Sequence, residues 1–230
     1  MKKVIVAATV PATLLLGLVS SPAHAAAGHN GTVAQPVRTV AATEPVRAKG
    51  TPARLNLKIK GIYQKRWWWC SPAVGAISLR TMGINVSQNV LAKKMRSSEA
   101  IAGTLDTRAV AVLSTYARKK GYKYTRQNDV HKPARLAARV VHDVGSLRKA
   151  VPIQVYMARL PWHRNRVAKD AGHVVLAFGY DKKAKKIRVW DPYDYYGTGG
   201  VHDIALNTLA KATQSNGPDR FAGIYYISRI

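Results

Sequence analysis

A single cysteine is the feature that most limits how this 230-residue chain can fold. Secreted domains that keep cysteines usually keep them in pairs, and the start of this chain is typical of an exported protein. Because Cys70 is alone, no internal disulfide can hold the fold together. The chain must therefore bury an ordinary hydrophobic core, and its length predicts one domain with some additional sequence.

The first 25 residues have the pattern of a secretory signal peptide. Lys2 and Lys3 precede an apolar run over residues 4–19, and small residues lead to a cleavage site at Ala25. No later stretch is long and apolar enough to span a bilayer. We therefore expect a mature protein that is extracellular or associated with the cell wall and has no transmembrane segment.

Residues 26–53 are rich in Ala, Thr, Val and Pro and show neither helical nor strand periodicity. This composition favours a disordered leader or linker, and a propeptide held over a cleft is the alternative. The folded domain is expected over residues 54–230.

The charge of the chain is strongly basic. Its 37 Lys and Arg residues against 11 Asp and Glu give a formal charge of +26, and loss of Lys2 and Lys3 with the signal peptide lowers it to +24. Such a charge attracts anionic wall polymers, nucleic acid or acidic lipid, although a merely solvated basic surface is the simpler interpretation. The cations form no single strip, so no specific nucleic-acid site is predicted.

The pattern of elements predicts an α+β fold, with helices in the first half and strands in the second. Alternation over 55–59 indicates a strand, and residues 71–83 indicate a helix with Pro72 in its first turn. Further helices are predicted over 88–95 with Ser87 as the cap, 107–120, 133–141 and 146–150, and further strands over 152–158, 174–180, 186–190 and 224–227.

Cys70 lies directly before the predicted helix that starts at Ser71. Free backbone N–H groups and the positive end of the helix dipole at that position favour a thiolate over a thiol. The alternative is a small, buried and inert cysteine. Since Cys70 has no cysteine partner, we predict that it is a nucleophile.

Among seven histidines, His173 is the best candidate for a base that activates Cys70. It follows Gly172 and opens an apolar strand, so a sheet would fix its imidazole at one point. A structural histidine at a strand edge is the alternative. The others lie in the signal peptide, in the leader or in polar helical and loop contexts: His24, His29, His131, His142, His163 and His202.

Asp191 ends the strand that should form a hairpin with the His173 strand, through a turn over residues 181–185. Hairpin pairing would return its carboxylate to His173, where it could orient the imidazole. A purely local turn role before Pro192 is the alternative interpretation, and Asp194 is the alternative orienting residue.

Gln64 lies six residues before Cys70, in the loop that enters the helix. Its amide could donate to the same oxyanion as the Cys70 backbone N–H, or it could be a solvated loop residue. Aromatic side chains flank the candidate residues, and at least one tryptophan is expected to be exposed near Cys70. These aromatics are Trp67, Trp68, Trp69, Tyr193, Tyr195 and Tyr196.

With these residues in place, the sequence resembles the bacteriocin-leader, or double-glycine, peptidase-like family of the papain clan. The matching segments are QKRWWWCSPAV, NVLAKKM, GTLDTRAVAVLSTYA, GHVVLAFGYD and VWDP. The resemblance implies a papain-like α+β fold, with Cys70 and His173 across a cleft, Gln64 in the oxyanion hole and Asp191 behind the histidine. Ser71 departs from the family, which usually has glycine there.

The activity that the resemblance implies is hydrolysis of a peptide or protein substrate through a thioester. The same residues could transfer the acyl group to an amine, which leaves an acyltransferase open. A basic papain-like module that binds anionic polymers with little catalysis is the alternative from another class. No cofactor is expected, and no paired His or Cys spacing suits a zinc hydrolase.

Overall fold

The structure is a computed structural model that describes residues 50–214 and 223–230. The predicted signal peptide over residues 1–25 and the leader up to residue 49 lie outside the described residues. In the part of the chain that is described, no helix combines the length and apolar character needed to cross a membrane.

Five α-helices are present within residues 50–214 and 223–230: α1 Cys70–Arg80, α2 Gln88–Met95, α3 Asp106–Ala117, α4 Pro133–Val140 and α5 Leu206–Ala212. Short 3-10 turns cover Arg118–Lys120 and Met157–Arg159, and a π-helical segment, Val141–Ser146, continues α4. The predicted cap of α2 is confirmed, because the Ser87 side chain accepts a hydrogen bond from the Val90 N–H.

Helix α1 is the central helix of the domain, and its residues from Ser71 to Leu79 are all buried. Small side chains let it approach its neighbours closely: a Cβ added at Gly75 would lie 2.9 Å from Leu113 of α3. The helix also packs on the β-sheet. The sequence prediction of a deeply buried helix after Cys70 is therefore confirmed.

Seven antiparallel strands of the described chain form one sheet: β1 Arg54–Asn56, β2 Tyr122–Gln127, β3 Val151–Tyr156, β4 Gly172–Asp181, β5 Lys186–Asp191, β6 Gly200–Ala205 and β7 Gly223–Arg229. Their order is β2-β7-β3-β4-β5-β6, and β1 pairs with the end of β4. Helices packed on an antiparallel sheet confirm the predicted α+β class.

The β4–β5 hairpin brings His173 and Asp191 onto one face of the sheet. Leu176 pairs with Trp190, so Asp191 lies beside Val175. His173 is two residues from Val175 and therefore shares its face, since successive side chains alternate. The predicted return of the Asp191 strand to the histidine strand is confirmed.

The helix predicted over residues 146–150 is wrong. Arg148 has a left-handed φ of 59°, and the Lys149 N–H bonds back to the Asp143 carbonyl, so the chain turns directly into β3. The strand predicted over residues 55–59 is also shorter, because sheet pairing ends at Asn56. Strands β2 and β6 and helix α5 were not predicted; β2 carries mainly polar side chains, and in β6 the adjacent His202 and Asp203 interrupt the apolar alternation.

Candidate active site

Cys70 is the first residue of α1 and is partly exposed. Among residues 50–214 and 223–230, no side chain caps the helix at Trp69, so the first-turn N–H groups have no side-chain competitor from that part of the chain. An uncapped helix N-terminus stabilises negative charge. The structure thus places the cysteine at the start of a helix, as the sequence predicts.

His173 begins β4 next to Cys70 and is almost fully buried, with 2% of its surface exposed. Its Nε2 lies 2.8 Å from Oδ1 of Asp191. Because a carboxylate only accepts, Nε2 carries a hydrogen and Nδ1 is the nitrogen left for the thiol. The Cys70 side chain lies within hydrogen-bond reach of the imidazole.

The charge state of His173 results from opposing effects. Burial lowers the pKa of the imidazole, but the charge and hydrogen bond of Asp191, with a contribution from Cys70, raise it overall to about 10. His173 is therefore an imidazolium at neutral pH. A cation held beside the thiol favours the thiolate.

Asp191 is fully buried and accepts four hydrogen bonds. Its Oδ1 accepts from His173 Nε2 and from the Tyr193 N–H, each at 2.8 Å. Its Oδ2 accepts from Trp162 Nε1 at 2.8 Å and His163 Nε2 at 2.9 Å. Burial raises the pKa of this carboxyl, but the charges and hydrogen bonds of the two histidines outweigh it and hold the pKa well below the ordinary value.

His163 is the site residue that the sequence missed: it lies in a turn, as its loop context predicts, but its side chain is buried. The ring has no exposed surface. Its Nε2 bonds Asp191, and its Nδ1 lies 3.2 Å from Thr198 Oγ1. The only local signal was apolar Leu160 and aromatic Trp162 in a segment that otherwise reads as a loop.

A further layer of contacts surrounds this pair. The indole of Trp162 stacks on His202 with ring centroids 3.9 Å apart and planes within 4°. His202 Nε2 lies 2.9 Å from the carbonyl oxygen of Thr198. Trp162 and Thr198 are thus both held by His202, which lies on β6.

Asp194, the alternative orienting residue, has a different environment. Its side chain is exposed, and Oδ1 accepts a hydrogen bond from the Gly199 N–H. It therefore supports the loop after Asp191, whereas the carboxylate bonded to His173 is that of Asp191.

Gln64 is buried beside the site, with 6% of its surface exposed. Its Nε2 donates to the carbonyl oxygens of Arg66 and Trp67, at 2.9 and 2.7 Å. Both amide hydrogens are thus engaged in holding the loop before Cys70. The role of Gln64 as an oxyanion donor stays a prediction.

Two hollows meet at Cys70 and together form a cleft. One of about 370 Å³ contains Cys70 and His173, and its other walls are Trp67, Trp68, Ala102, Met157, Arg166, Val167, Ala168, Ala171, Gly172, Tyr193 and Tyr196. The other, of about 270 Å³, lies beyond Ala102 and Gly172 and includes Ile101 and Leu105. Trp67 is 45% exposed, which confirms the expectation of an exposed tryptophan near the cysteine.

Three side chains carry donor atoms close enough to hold a metal ion within the described residues: His163, His173 and Asp191. All three are buried, and both Nε2 atoms already donate to the carboxylate. An ion would have to replace those two hydrogens. The hydrogen-bond network is complete without one.

Residues 56–217 match the Peptidase C39-like family. Xylellain, a cysteine protease from Xylella fastidiosa, has a TM-score of 0.52 at 13% identity, over 79% of this chain and 87% of that chain. A Bacillus anthracis protein described as a C39-like peptidase has a TM-score of 0.50 at 14% identity, over 76% and 98% of the two chains.

The peptidase domain of Streptococcus ComA, a bifunctional ABC transporter, has a TM-score of 0.46 at 15% identity, over 75% of this chain and 98% of that domain. No curated protein matches the chain.

The fold is that of the papain-like cysteine peptidases, as the sequence resemblance implies. Because the family match spans most of the chain, the protein belongs to the Peptidase C39-like family.

Proposed function

We propose that the protein is a secreted cysteine peptidase that hydrolyses peptide bonds, with Cys70 as nucleophile and His173 as acid and base. One observation carries the proposal: a buried imidazole lies between the partly exposed Cys70 and the buried carboxylate of Asp191. Nucleophile, base and orienting group in this order are what covalent acyl chemistry requires.

In the first half of the reaction, the Cys70 thiolate attacks the carbonyl carbon of the scissile peptide bond. The backbone N–H of Cys70, at the start of α1, donates to the developing oxyanion. His173 gives its Nδ1 proton to the leaving amine, the C–N bond breaks, and a thioester on Cys70 remains. Asp191 meanwhile keeps the ring in place through Nε2.

In the second half, neutral His173 accepts a proton from water, which attacks the thioester. The C–S bond breaks, the acid product leaves, and the thiolate and imidazolium are restored. An amine in place of water would give an amide product, so hydrolysis and acyl transfer share every residue of the site.

The walls of the cleft suggest which peptides fit. Aromatic surface from Trp67, Tyr193 and Tyr196 faces the hollow that contains His173, and Arg166 supplies a positive charge there. These walls favour apolar or acidic side chains beside the scissile bond. The signal-peptide pattern over residues 1–25 supports action outside the cell, at the surface or in the wall.

The test is digestion of a mixed peptide library by residues 26–230, read by mass spectrometry, beside a Cys70→Ser variant. We expect cleavage by the wild type only, enriched at apolar or acidic residues. Added hydroxylamine distinguishes hydrolysis of the thioester from acyl transfer to an amine, because an acyltransferase gives mainly hydroxamates. Equal inactivity of both proteins towards the whole library, with no acyl-enzyme detected, would contradict the proposal.

The formal charge of +26 supports a second candidate function, the binding of anionic polymers. Binding through the basic surface would weaken steeply with added salt and would be unaffected by Cys70→Ser. Sedimentation with isolated cell walls or retention on immobilised polyanion measures it. Salt-independent binding, or none at low salt, would exclude this function.

A further inference from the structure

The carboxylate behind His173 is shared with a second imidazole. Asp191 Oδ1 faces His173, whereas Oδ2 faces His163, and both contacts are made through Nε2. The two rings are perpendicular, with centroids 6.0 Å apart. Both rings and the carboxylate are buried.

We infer that His163 is a positioning residue, which fixes the Asp191 carboxylate in the rotation that presents Oδ1 to His173. The inference rests on the proposed function and adds to it a fourth participant that acts through Asp191 alone. His163 does not line the hollows on either side of Cys70, so it does not touch substrate there.

The first support is the distribution of donors around the carboxylate. Oδ1 accepts from His173 and the Tyr193 N–H, and Oδ2 accepts from Trp162 and His163. Rotation about the terminal bond of Asp191 would misalign both pairs at once. Without His163, Trp162 is the one remaining donor on Oδ2, and the carboxylate can turn towards it and away from His173.

The second support is that His163 is itself held firmly. Thr198 Oγ1 meets the far nitrogen of the ring, and a hydroxyl there suits the imidazole in either protonation state because it can donate or accept. The ring also meets Tyr193 edge-on, with centroids 5.7 Å apart and planes at 83°. A side chain that is held in place by its own contacts can in turn fix the orientation of Asp191.

The third support is electrostatic. The hydrogen bond and charge of His163 are among the causes that lower the pKa of Asp191. Removing them would let the carboxyl keep its proton to higher pH and weaken its hold on the imidazolium. If His163 only filled space, replacing it would change the stability of the protein without changing the pKa of Asp191.

The matched pair of substitutions is His163→Gln and His163→Asn. The glutamine amide reaches the position of the imidazole Nε2 and can still donate to Asp191. The shorter asparagine reaches the position of Nδ1, so it can bond Thr198 but leaves Asp191 without its donor. Both variants carry a side-chain amide, and they differ in whether that amide reaches Asp191 or Thr198.

The experiment measures the rate of Cys70 alkylation by iodoacetamide from pH 4 to 9 in residues 26–230, with thermal melting in parallel. For His163→Gln we expect rates within about 3-fold of the wild type. For His163→Asn we expect the alkylation rate to fall about 10-fold near pH 6. The pH at which the rate declines on the acid side should also rise by about one unit, which is what loss of one charge-assisted hydrogen bond predicts.

The inference would be overturned if a folded His163→Asn variant showed the same decline of the alkylation rate at acid pH as the wild type. Equal slowing of both variants at every pH would also overturn it. Failure of the proposed function has another signature, because the wild type itself would then alkylate at the rate of an unactivated thiol and cleave no peptide.

If His163→Asn does not fold, the wild type carries the test in proton NMR. Alkylation of Cys70 removes the thiolate charge beside His173. This changes the interaction between His173 and Asp191. The ring N–H resonances of both His163 and His173 should then move. Movement of the His173 resonance alone would contradict the coupling.

Discussion

Among the residues that the structure describes, two aspartates are fully buried, and their surroundings have opposite effects on their carboxyl groups. Asp191 in the candidate site accepts four hydrogen bonds, two of them from imidazoles. Asp143, in the π-helical segment after α4, accepts from the Ile227 N–H at 3.0 Å and faces His142 Nδ1 at 2.8 Å.

The pKa values of the two groups diverge accordingly. For Asp143, burial outweighs its hydrogen bonds to His142 and Ile227 and raises the pKa to about 6. For Asp191, burial is also unfavourable to charge, but the two histidines overcome it and the pKa falls. Burial alone therefore does not decide the ionisation of a carboxyl; the number and charge of its donors do.

The largest effect is expected from Asp191→Asn. Four donors face the carboxylate, and asparagine supplies one acceptor oxygen, so its amide must point at two N–H groups. We expect alkylation of Cys70 to slow at least about 100-fold and unfolding to become easier by about 3 kcal/mol.

Asp194→Asn is the matched control, because the exposed side chain keeps its acceptor for Gly199. Its rate and its denaturant midpoint should both be those of the wild type. If Cys70 of the Asp191→Asn variant were alkylated at the wild-type rate, the proposed difference between Asp191 and Asp143 would be contradicted.

Asp143 gives the next effect, on stability alone. Its folded pKa of about 6 exceeds the ordinary 3.8, so its contribution to stability is fully present below about pH 4 and is lost as pH rises through 6. The wild type should lose about 2 to 3 kcal/mol of unfolding free energy across that interval.

Asp143→Asn should abolish this loss, because asparagine can accept from Ile227 and donate to His142 without a charge. Urea unfolding at closely spaced pH values measures it. The Asp191 contribution has the opposite sign and is lost only below about pH 4, since the folded pKa is depressed. Parallel pH profiles for the two proteins would show that the carboxyl of Asp143 is not perturbed by burial.

A smaller effect is expected from Trp162→Phe, which removes one donor from Oδ2 of Asp191 and keeps an aromatic ring against His202. We expect a loss of about 1 kcal/mol in stability and alkylation about 3-fold slower. Tyr180→Phe is the control, because it removes one hydrogen bond, to the Pro52 carbonyl, away from the site. Equal alkylation rates for the two variants would mean that the Trp162 donor does not matter to His173.

The smallest effect belongs to an exposed carboxylate. Asp203 pairs with Arg188 through two hydrogen bonds of 2.7 and 2.6 Å, but their side chains are 42% and 30% exposed. Arg188→Gln should change the unfolding free energy by no more than about 0.5 kcal/mol, and less in high salt. A larger change, measured by urea unfolding at two salt concentrations, would show that partial burial already gives such a pair appreciable strength.

Local patterns were enough to predict much of the fold. Small side chains after Cys70 predict the buried helix α1, and the turn after Asp181 predicts the β4–β5 hairpin. That hairpin is also why His173 and Asp191 could be proposed together. Their catalytic roles stay predictions until activity is measured.

Tertiary contacts explain what the sequence could not show. His163 lies in a segment without periodicity, and its burial depends on Asp191 and Thr198, which are 28 and 35 residues away. Gln64 is a different case, because its amide bonds the carbonyls of Arg66 and Trp67, which are only two and three residues away, and the spacing to Cys70 does not reveal that loop conformation. Partners that only the folded chain brings together leave no local pattern.

The most direct test of the account is alkylation of Cys70 by iodoacetamide between pH 5 and 8, in wild-type residues 26–230 and in His173→Ala. We predict rapid labelling already at pH 5, slowed at least about 10-fold by the substitution, because the imidazolium stabilises the thiolate. Slow labelling at the same rate in both proteins would contradict it, since Cys70 would then be an ordinary thiol.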